Sequence, residues 1–148
     1  MKMDFTLRAA NVEDCKDLAR MMMELSEHEK IAHKMKLTQK GHIKIGYAIY
    51  FYSWSSMSGR VIYMEDLYVM PEFRGKGIGK ALMSKVAQLG LAAGCTQLNF
   101  AVLDWNKPSL EFYFHQGCYD FTAESGYHLM RCEGEALENW PSCRWMLR

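Results

Sequence analysis

The sequence lacks the features that mark membrane proteins, secreted proteins and highly charged binding proteins. No apolar run approaches the length of a membrane span, and the opening "MKMDFTLRAANVEDC" has no apolar signal-peptide core. The 18 Lys and Arg residues nearly balance the 17 Asp and Glu residues, and outside one glycine-rich loop the cations alternate with acids. The sequence therefore predicts a cytoplasmic protein with neither a membrane nor a nucleic acid as partner.

Paired cysteines and clustered metal ligands are also missing. The five cysteines form no C-x-x-C pair and leave one over, which favours a reduced protein with buried thiols over a disulfide scaffold. The five histidines are scattered without ligand spacing, so no metal site is predicted.

What is present is a chain of 148 residues without repeats, low-complexity tracts or linkers, which predicts a single domain over residues 1–148. The early segments predict a strand at "DFTLRAA", a helix over "VEDCKDLARMMMELSEHEK" capped by Asn11, and an antiparallel hairpin at "KIGYAIYFYSW" and "GRVIYMEDLYVM". The stripe expected along the first helix is apolar: Val12, Cys15, Leu18, Ala19, Met22 and Leu25.

The later segments alternate between the two kinds of element. A helix over "IGKALMSKVAQLGLAAG" stops at Gly94, a strand covers "TQLNFAVLDW", and a helix over "NKPSLEFYFHQG" begins after Asn106 and ends at Gly117. "CYDFTAES" and "GYHLMRCEG" predict a last pair of strands. The order predicts an α/β (α+β) fold, a mixed sheet flanked by helices.

The loop R-G-K-G-I-G-K, residues 74–80, is the main candidate for a binding site. Glycines at 75, 77 and 79 allow successive backbone amides to converge on an anion, and the following helix adds its positive N-terminal end. Arg74, Lys76 and Lys80 add full charges. The pattern matches neither the dinucleotide fingerprint nor the Walker motif, and an ordinary turn is the alternative for an isolated G-x-G-x-G.

Two motifs in order resemble the GNAT superfamily of N-acetyltransferases. "EDLYVMPEF" followed by R-G-x-G-I-G-x-x-L is similar to its acetyl-CoA-binding signature, and "AVLDWNKPSLEFYFHQG" is similar to its second hallmark segment. The likeness covers nearly the whole chain and is nearest the branch of spermidine/spermine and thialysine N-acetyltransferases, on the thialysine side. It implies the GNAT acyl-CoA N-acyltransferase fold with a mostly antiparallel sheet, an acetyl-CoA co-substrate, a small-molecule amine substrate and a homodimer.

The resemblance also implies roles for individual residues. Tyr113 would be the general acid that protonates the coenzyme A sulfur, and Glu65 would bind the cationic amine and take its proton through water. Asp66 and Glu29 would complete the substrate site, Asp66 more as a support for the loop. The implied cofactor contacts are Leu67, Tyr68, Val69, Arg74, Gly75, Lys76, Gly77, Ile78, Gly79, Lys80, Asn106, Ser109 and Tyr113.

Several of these residues have a structural alternative. Tyr113 could be a core aromatic beside Phe112 and Phe114. Glu29 could be a solvated helix end, Ser109 could merely lie in a first turn, and Asn106 could cap its helix instead of touching the cofactor.

The chain departs from the resemblance in three places. Between Lys40 and Gly41 relatives carry a loop and a strand; without them the first strand would lose its neighbour and leave an open edge. The hairpin turn has Ser55 and Met57 where polyamine-acetylating relatives have an acid and a tryptophan, which favours a lysine-like or thialysine-like amine. The tail, residues 140–148, is atypical of the family. A catalytically impaired coenzyme A-binding protein and a protein-directed acetyltransferase are therefore the alternative functions.

Overall fold

A computed structural model describes residues 4–28 and 43–139 of the chain. The described residues form two compact units, one ending at Ala101 and the other beginning at Val102. In chain order the elements of the first unit are α1 (Cys15–His28), β1 (Gly46–Ser55), β2 (Gly59–Val69), α2 (Ile78–Ala92) and β3 (Leu98–Asn99). Those of the second are α3 (Lys107–His115), α4 (Phe121–Ser125) and α5 (Glu135–Glu138).

The sheet of the first unit is mixed, as predicted. β1 and β2 form the expected antiparallel hairpin, with Gly46 opposite Val69. Ser55 closes its turn, because the Ser55 hydroxyl accepts hydrogen bonds from the amides of Met57 and Ser58 at 3.3 and 3.2 Å. β3 pairs with β2 in parallel, giving the order β1-β2-β3.

Different helices cover the two faces of this sheet. On one face Tyr47 and Tyr68, which are paired across the hairpin, pack with Met21 of α1 into a buried cluster. On the other face α2 lies so close that a Cβ at Gly90 would sit 2.7 Å from the Ile62 side chain. This close approach explains why a glycine interrupts an otherwise good helix sequence.

The apolar stripe of α1 is shifted from the predicted one. Met21 is 1% exposed, with Leu18 and Leu25 packed beside it, whereas Val12 is 87% exposed. Val12 lies in a 3₁₀ turn, Val12–Asp14, before the α-helix begins. The spacing of 18, 21 and 25 is itself helical, and the run of three methionines allowed both phases.

The predicted first strand and last strand pair are wrong for the described residues. "DFTLRAA" forms no strand, which fits the absence of a neighbouring strand to pair with, since lone strands are unstable in water. "CYDFTAES" instead contains α4, because the Asp120 side chain caps it through the amide of Ala123 and Gly126, at φ 72°, ends it. The following "GYHLMRCEG" forms no strand, and Leu129 is 87% exposed.

The buried carboxylate of Asp14, just before α1, pairs with Arg8 on one side along the chain and with Lys44 on the other. Asp14 is 5% exposed and accepts two hydrogen bonds from the Arg8 guanidinium, at 2.6 and 2.7 Å. It also accepts from the amide of Asn11, within the capping box that Asn11 forms, and lies 3.5 Å from the Lys44 ammonium. The Arg8 hydrogen bonds, followed by that of Asn11, hold the pKa of Asp14 well below its usual range.

We expect Asp14→Asn to lower Tm by several degrees at neutral pH, as measured by calorimetry. Because the folded-state pKa of Asp14 is depressed, its contribution to stability is complete above the unfolded pKa of about 4 and disappears as pH falls through the folded value. The Tm difference should therefore shrink towards pH 2. Glu13→Gln is the control, and a difference that is constant with pH would contradict the assignment.

Candidate functional site

The glycine-rich loop connects the end of β2 to the start of α2. A 3₁₀ turn, Pro71–Phe73, leads into it. Gly75 and Gly77 have φ values of 72° and 81°, in the left-handed region where side chains are strained. Gly77 is the N-cap residue of α2, and no side chain caps that helix end.

The amides of this loop are available to a ligand. Ala81 is the first residue of α2 whose amide is bonded back, to the Gly77 carbonyl at 3.0 Å. Within the described part of the chain, no hydrogen bond is recorded from the amides of residues 75–80 to a carbonyl outside the helix. A Cβ placed on Gly75 or Gly77 would meet no atom within 4 Å. The loop thus has the open space and the free donors that a diphosphate such as that of coenzyme A requires.

The cations of the loop are held differently from one another. Lys76 donates to the Glu72 carbonyl at 3.1 Å and lies over the Phe73 ring, 5.2 Å from its centroid. Arg74 donates through Nε to the Val69 carbonyl at 2.8 Å. Lys80 is exposed in the first turn of α2.

Arg74 also lies over the ring of Tyr68, whose hydroxyl is hydrogen-bonded to Glu24 of α1. Its guanidinium carbon is 5.7 Å from the centroid of the Tyr68 ring. The Tyr68 hydroxyl donates to Glu24 at 2.8 Å, and Arg20 donates to the other oxygen of Glu24 at 2.6 Å. Burial, followed by the hydrogen bond to Glu24, raises the pKa of Tyr68 to about 12.

The strand before the loop has one open edge. β1 pairs with one edge of β2, and β3 pairs with the other edge only at Ile62 and Tyr63. Along this second edge, Met64 to Val69 have no strand partner among the described residues. The backbone groups at that edge, within the predicted contacts Leu67, Tyr68 and Val69, can pair with a ligand that lies along the strand. Since the Tyr68 side chain is buried against α1, only its backbone can make such a contact.

The two tandem acids of β2 are separated by a β-bulge. Ile49 is opposite Asp66 and Tyr50 is opposite Met64, which leaves Glu65 without a partner in β1. Glu65 is exposed, whereas Asp66 is half-buried and accepts a hydrogen bond from Tyr47 at 3.3 Å. Bulges often redirect a side chain beside a functional site, and here the bulge releases Glu65 from the regular alternation.

The second unit contains the other predicted residues. Tyr113 lies on α3 with its ring edge-to-face with Phe112, at 5.2 Å between centroids. Burial, with a smaller contribution from Cys118, raises the pKa of Tyr113 to about 12. Ser109 is half-buried in the first turn of α3.

One prediction in this unit needs correction. Asn106 is at the N-cap position of α3, but its side chain makes no capping hydrogen bond. With φ at −80° and ψ at 64°, its backbone is outside the extended geometry that most capping side chains require. The Asn106 side chain is therefore not committed to the helix end.

Some of the remaining predictions concern residues outside the described ranges. These are Glu29, the junction between Lys40 and Gly41, and the tail, residues 140–148. The His, Cys, Asp and Glu side chains of the described ranges form no group of three that could hold a metal. The helices in those ranges are also too short or too polar to cross a membrane.

Within the first unit the fold gathers the loop, the open edge of β2 and Glu65 at one strand end. Sequence reasoning missed Glu24, which supports Tyr68. The spacing of Arg20 and Glu24 indicates an ion pair on a helix, but the tyrosine that donates to Glu24 is 44 residues away along the chain.

Comparisons with known proteins identify the family of the chain. The model of the acetyltransferase (GNAT) family matches residues 12–118. The mouse thialysine N-ε-acetyltransferase is 36% identical over an alignment of 159 residues, which covers 88% of this chain and 94% of that protein. The human spermidine/spermine N(1)-acetyltransferase-like protein 1 is 29% identical over 90% of this chain but only 23% of its own length.

Solved structures share the fold. An integron cassette protein from V. cholerae has a TM-score of 0.67 and 25% identity, covering 85% of this chain and 90% of that one. An aminoglycoside N-acetyltransferase solved in complex with CoA has a TM-score of 0.64 and 21% identity, covering 83% and 97%.

The mouse alignment is longer than the whole chain of 148 residues. That relative therefore has residues that this chain lacks, in keeping with the predicted loss of a segment. The position of the loss, between Lys40 and Gly41, stays a prediction.

Proposed function

The chain belongs to the acetyltransferase (GNAT) family and is an N-acetyltransferase, and from this premise we propose that it transfers the acetyl group of acetyl-CoA to a lysine-like or thialysine-like primary amine. The observation that carries the proposal is the 36% identity to the thialysine enzymes over 88% of the chain. The homodimer implied by the resemblance and the cytoplasmic location predicted from the sequence belong to the same proposal.

The loop and the open strand edge would hold the co-substrate. The backbone amides from Gly75 to Lys80 and the N-terminal end of α2 would bind the diphosphate, with Arg74, Lys76 and Lys80 balancing its charge. The backbone of Leu67, Tyr68 and Val69 would pair with the pantetheine arm along the free edge of β2. Asn106 and Ser109 complete the proposed contacts from the second unit.

Glu65 and Tyr113 would perform the proton transfers of a direct reaction. At neutral pH only about one in 10³ amines with a pKa near 10.4 is uncharged, so Glu65 must take a proton from the ammonium, through water. The amine nitrogen then bonds to the acetyl carbon as the carbon–sulfur bond breaks. Tyr113 donates its phenolic proton to the departing sulfur, because the raised pKa keeps the phenol protonated at neutral pH. The acylated nitrogen still carries one proton too many, and this proton returns through water to the Tyr113 phenolate and restores the acid.

The number of acidic residues available to bind the substrate favours a short amine over a long polyamine. Glu65, Asp66 and Glu29 are the proposed cation contacts, and Ser55 takes the place of a hairpin-turn acid of polyamine-acetylating relatives. The Ser55 hydroxyl is already used to close the turn. With fewer carboxylates, a long polycation would leave distal ammonium groups unpaired.

A transfer assay with radiolabelled acetyl-CoA across amines tests the proposal. We expect thialysine and lysine to be acetylated with a higher kcat/KM than spermine. Glu65→Gln should raise KM for the amine about 10-fold, because a charge-assisted contact is lost, and leave KM for acetyl-CoA unchanged. Glu13→Gln, which removes an exposed carboxylate in the turn before α1, is the control.

Two other results would redirect the assignment. Tight coenzyme A binding without turnover of any amine would indicate the catalytically impaired coenzyme A-binding protein. Preference for peptides over free amines would indicate a protein-directed acetyltransferase.

A further inference from the structure

We propose that the Tyr68 ring, clamped by Glu24, positions the Arg74 guanidinium for the diphosphate of the co-substrate; this inference rests on the proposed function. Tyr68 and Glu24 would then be positioning residues that affect coenzyme A affinity through Arg74.

One donor group of the Arg74 side chain is already hydrogen-bonded within the protein. Its Nε–H group is held by the Val69 carbonyl at 2.8 Å. No other hydrogen bond or ion pair of this side chain is recorded within residues 4–28 and 43–139. The two terminal nitrogens therefore keep the paired donors that recognise a phosphate.

The planar face of the Arg74 guanidinium packs against the Tyr68 ring. At 5.7 Å from the Tyr68 ring centroid, the Arg74 cation is within the range of a cation–π contact. One hydrogen bond at Nε and one contact on the planar face together restrict the side chain before the ligand arrives. A restricted arginine loses less conformational freedom on binding, so the affinity for the anion is higher.

The Tyr68 side chain is itself held in place by burial and by a hydrogen bond. Tyr68 is 3% exposed, and its hydroxyl donates to Glu24 at 2.8 Å. Glu24 is fixed in turn by Arg20, one helical turn earlier in α1, at 2.6 Å. The first helix is thereby connected to the phosphate-binding loop through three side chains, Glu24, Tyr68 and Arg74.

A double-mutant cycle measured by calorimetry with coenzyme A tests the proposal. Arg74→Ala should weaken binding about 10-fold or more, since charged hydrogen bonds to phosphate are lost. Tyr68→Leu should weaken it about 5-fold in the wild-type background and have no further effect in the Arg74→Ala background. Tyr63→Leu, the same change on the same strand but away from Arg74, should leave the affinity unchanged.

Two further measurements separate positioning from a general loss of stability. Tyr68→Leu should raise KM for acetyl-CoA by a larger factor than KM for S-acetylpantetheine, which lacks the diphosphate. Arg74→Lys keeps the charge on an exposed side chain and removes both the Nε contact and the planar face, so it should weaken coenzyme A binding about 10-fold without unfolding.

Other results of these experiments would contradict either the positioning role or the proposed function. If the wild type binds coenzyme A and Tyr68→Leu weakens binding equally in both backgrounds, or not at all, the positioning role is wrong while the proposed function stands. An Arg74→Lys variant with wild-type affinity also removes the positioning role. If the wild type does not bind coenzyme A, the proposed function and this inference both fail.

Discussion

Tyr113→Phe is expected to lower kcat for acetyl transfer by about 10²-fold or more, the usual contribution of a positioned general acid. The substitution removes only the hydroxyl, so the edge-to-face packing against Phe112 is kept. KM for acetyl-CoA should change little, because in the proposed reaction the phenol acts on the departing sulfur and not on the diphosphate. Steady-state kinetics with a short amine separates the two parameters.

The pH profile adds a second measurement for the same residue. Burial raises the pKa of Tyr113 to about 12, so the phenol remains protonated, and able to act as an acid, throughout the neutral and mildly alkaline range. The wild-type rate should therefore rise with pH as the amine loses its proton, without falling again below about pH 11. The Phe variant should show the same rise at a uniformly lower rate.

Tyr119→Phe is the matched control, because Tyr119 is an exposed tyrosine of the same unit. If Tyr113→Phe retains wild-type kcat, the residue is a core aromatic, which is the alternative that its sequence context allowed. In that case the departing sulfur needs another proton donor.

The loop was predictable from the sequence because its chemistry is local. Glycines at 75 and 77 indicate a backbone that side chains cannot follow, and both have positive φ. The ends of α2 and α3 were predictable for the same reason, since Gly94 and Gly117 follow these helices with the left-handed geometry that favours glycine. Local signals of this kind need no knowledge of the rest of the fold.

The errors concern features that depend on distant partners. Whether "DFTLRAA" is a strand depends on a neighbouring strand, and the described residues supply none. The bulge that frees Glu65 depends on the register between β1 and β2, and Glu24 depends on a tyrosine of another element. The single domain over residues 1–148 and the roles of the site residues stay predictions.

Gly77→Ala is expected to weaken coenzyme A binding about 10-fold or more, measured by calorimetry or as KM for acetyl-CoA. Gly77 has a φ of 81° at the N-cap position of α2, where an approaching diphosphate would be bound by amides. A Cβ there meets no protein atom within 4 Å, so the methyl group would occupy the space of the ligand and not that of the protein. The substitution also strains the backbone by about 1 kcal/mol, which must be separated from the loss of binding.

Gly94→Ala makes that separation, because the two glycines have similar positive φ values and similar open space for a methyl group. Gly94 follows the other end of α2 with a φ of 78°, and a Cβ there also meets nothing within 4 Å. Both variants should lose about the same stability, about 1 kcal/mol in denaturant unfolding, since both force alanine into the left-handed region. Only Gly77→Ala should lose affinity. Equal losses of affinity would show that the effect comes from strain along α2, and the diphosphate would then have to be placed elsewhere.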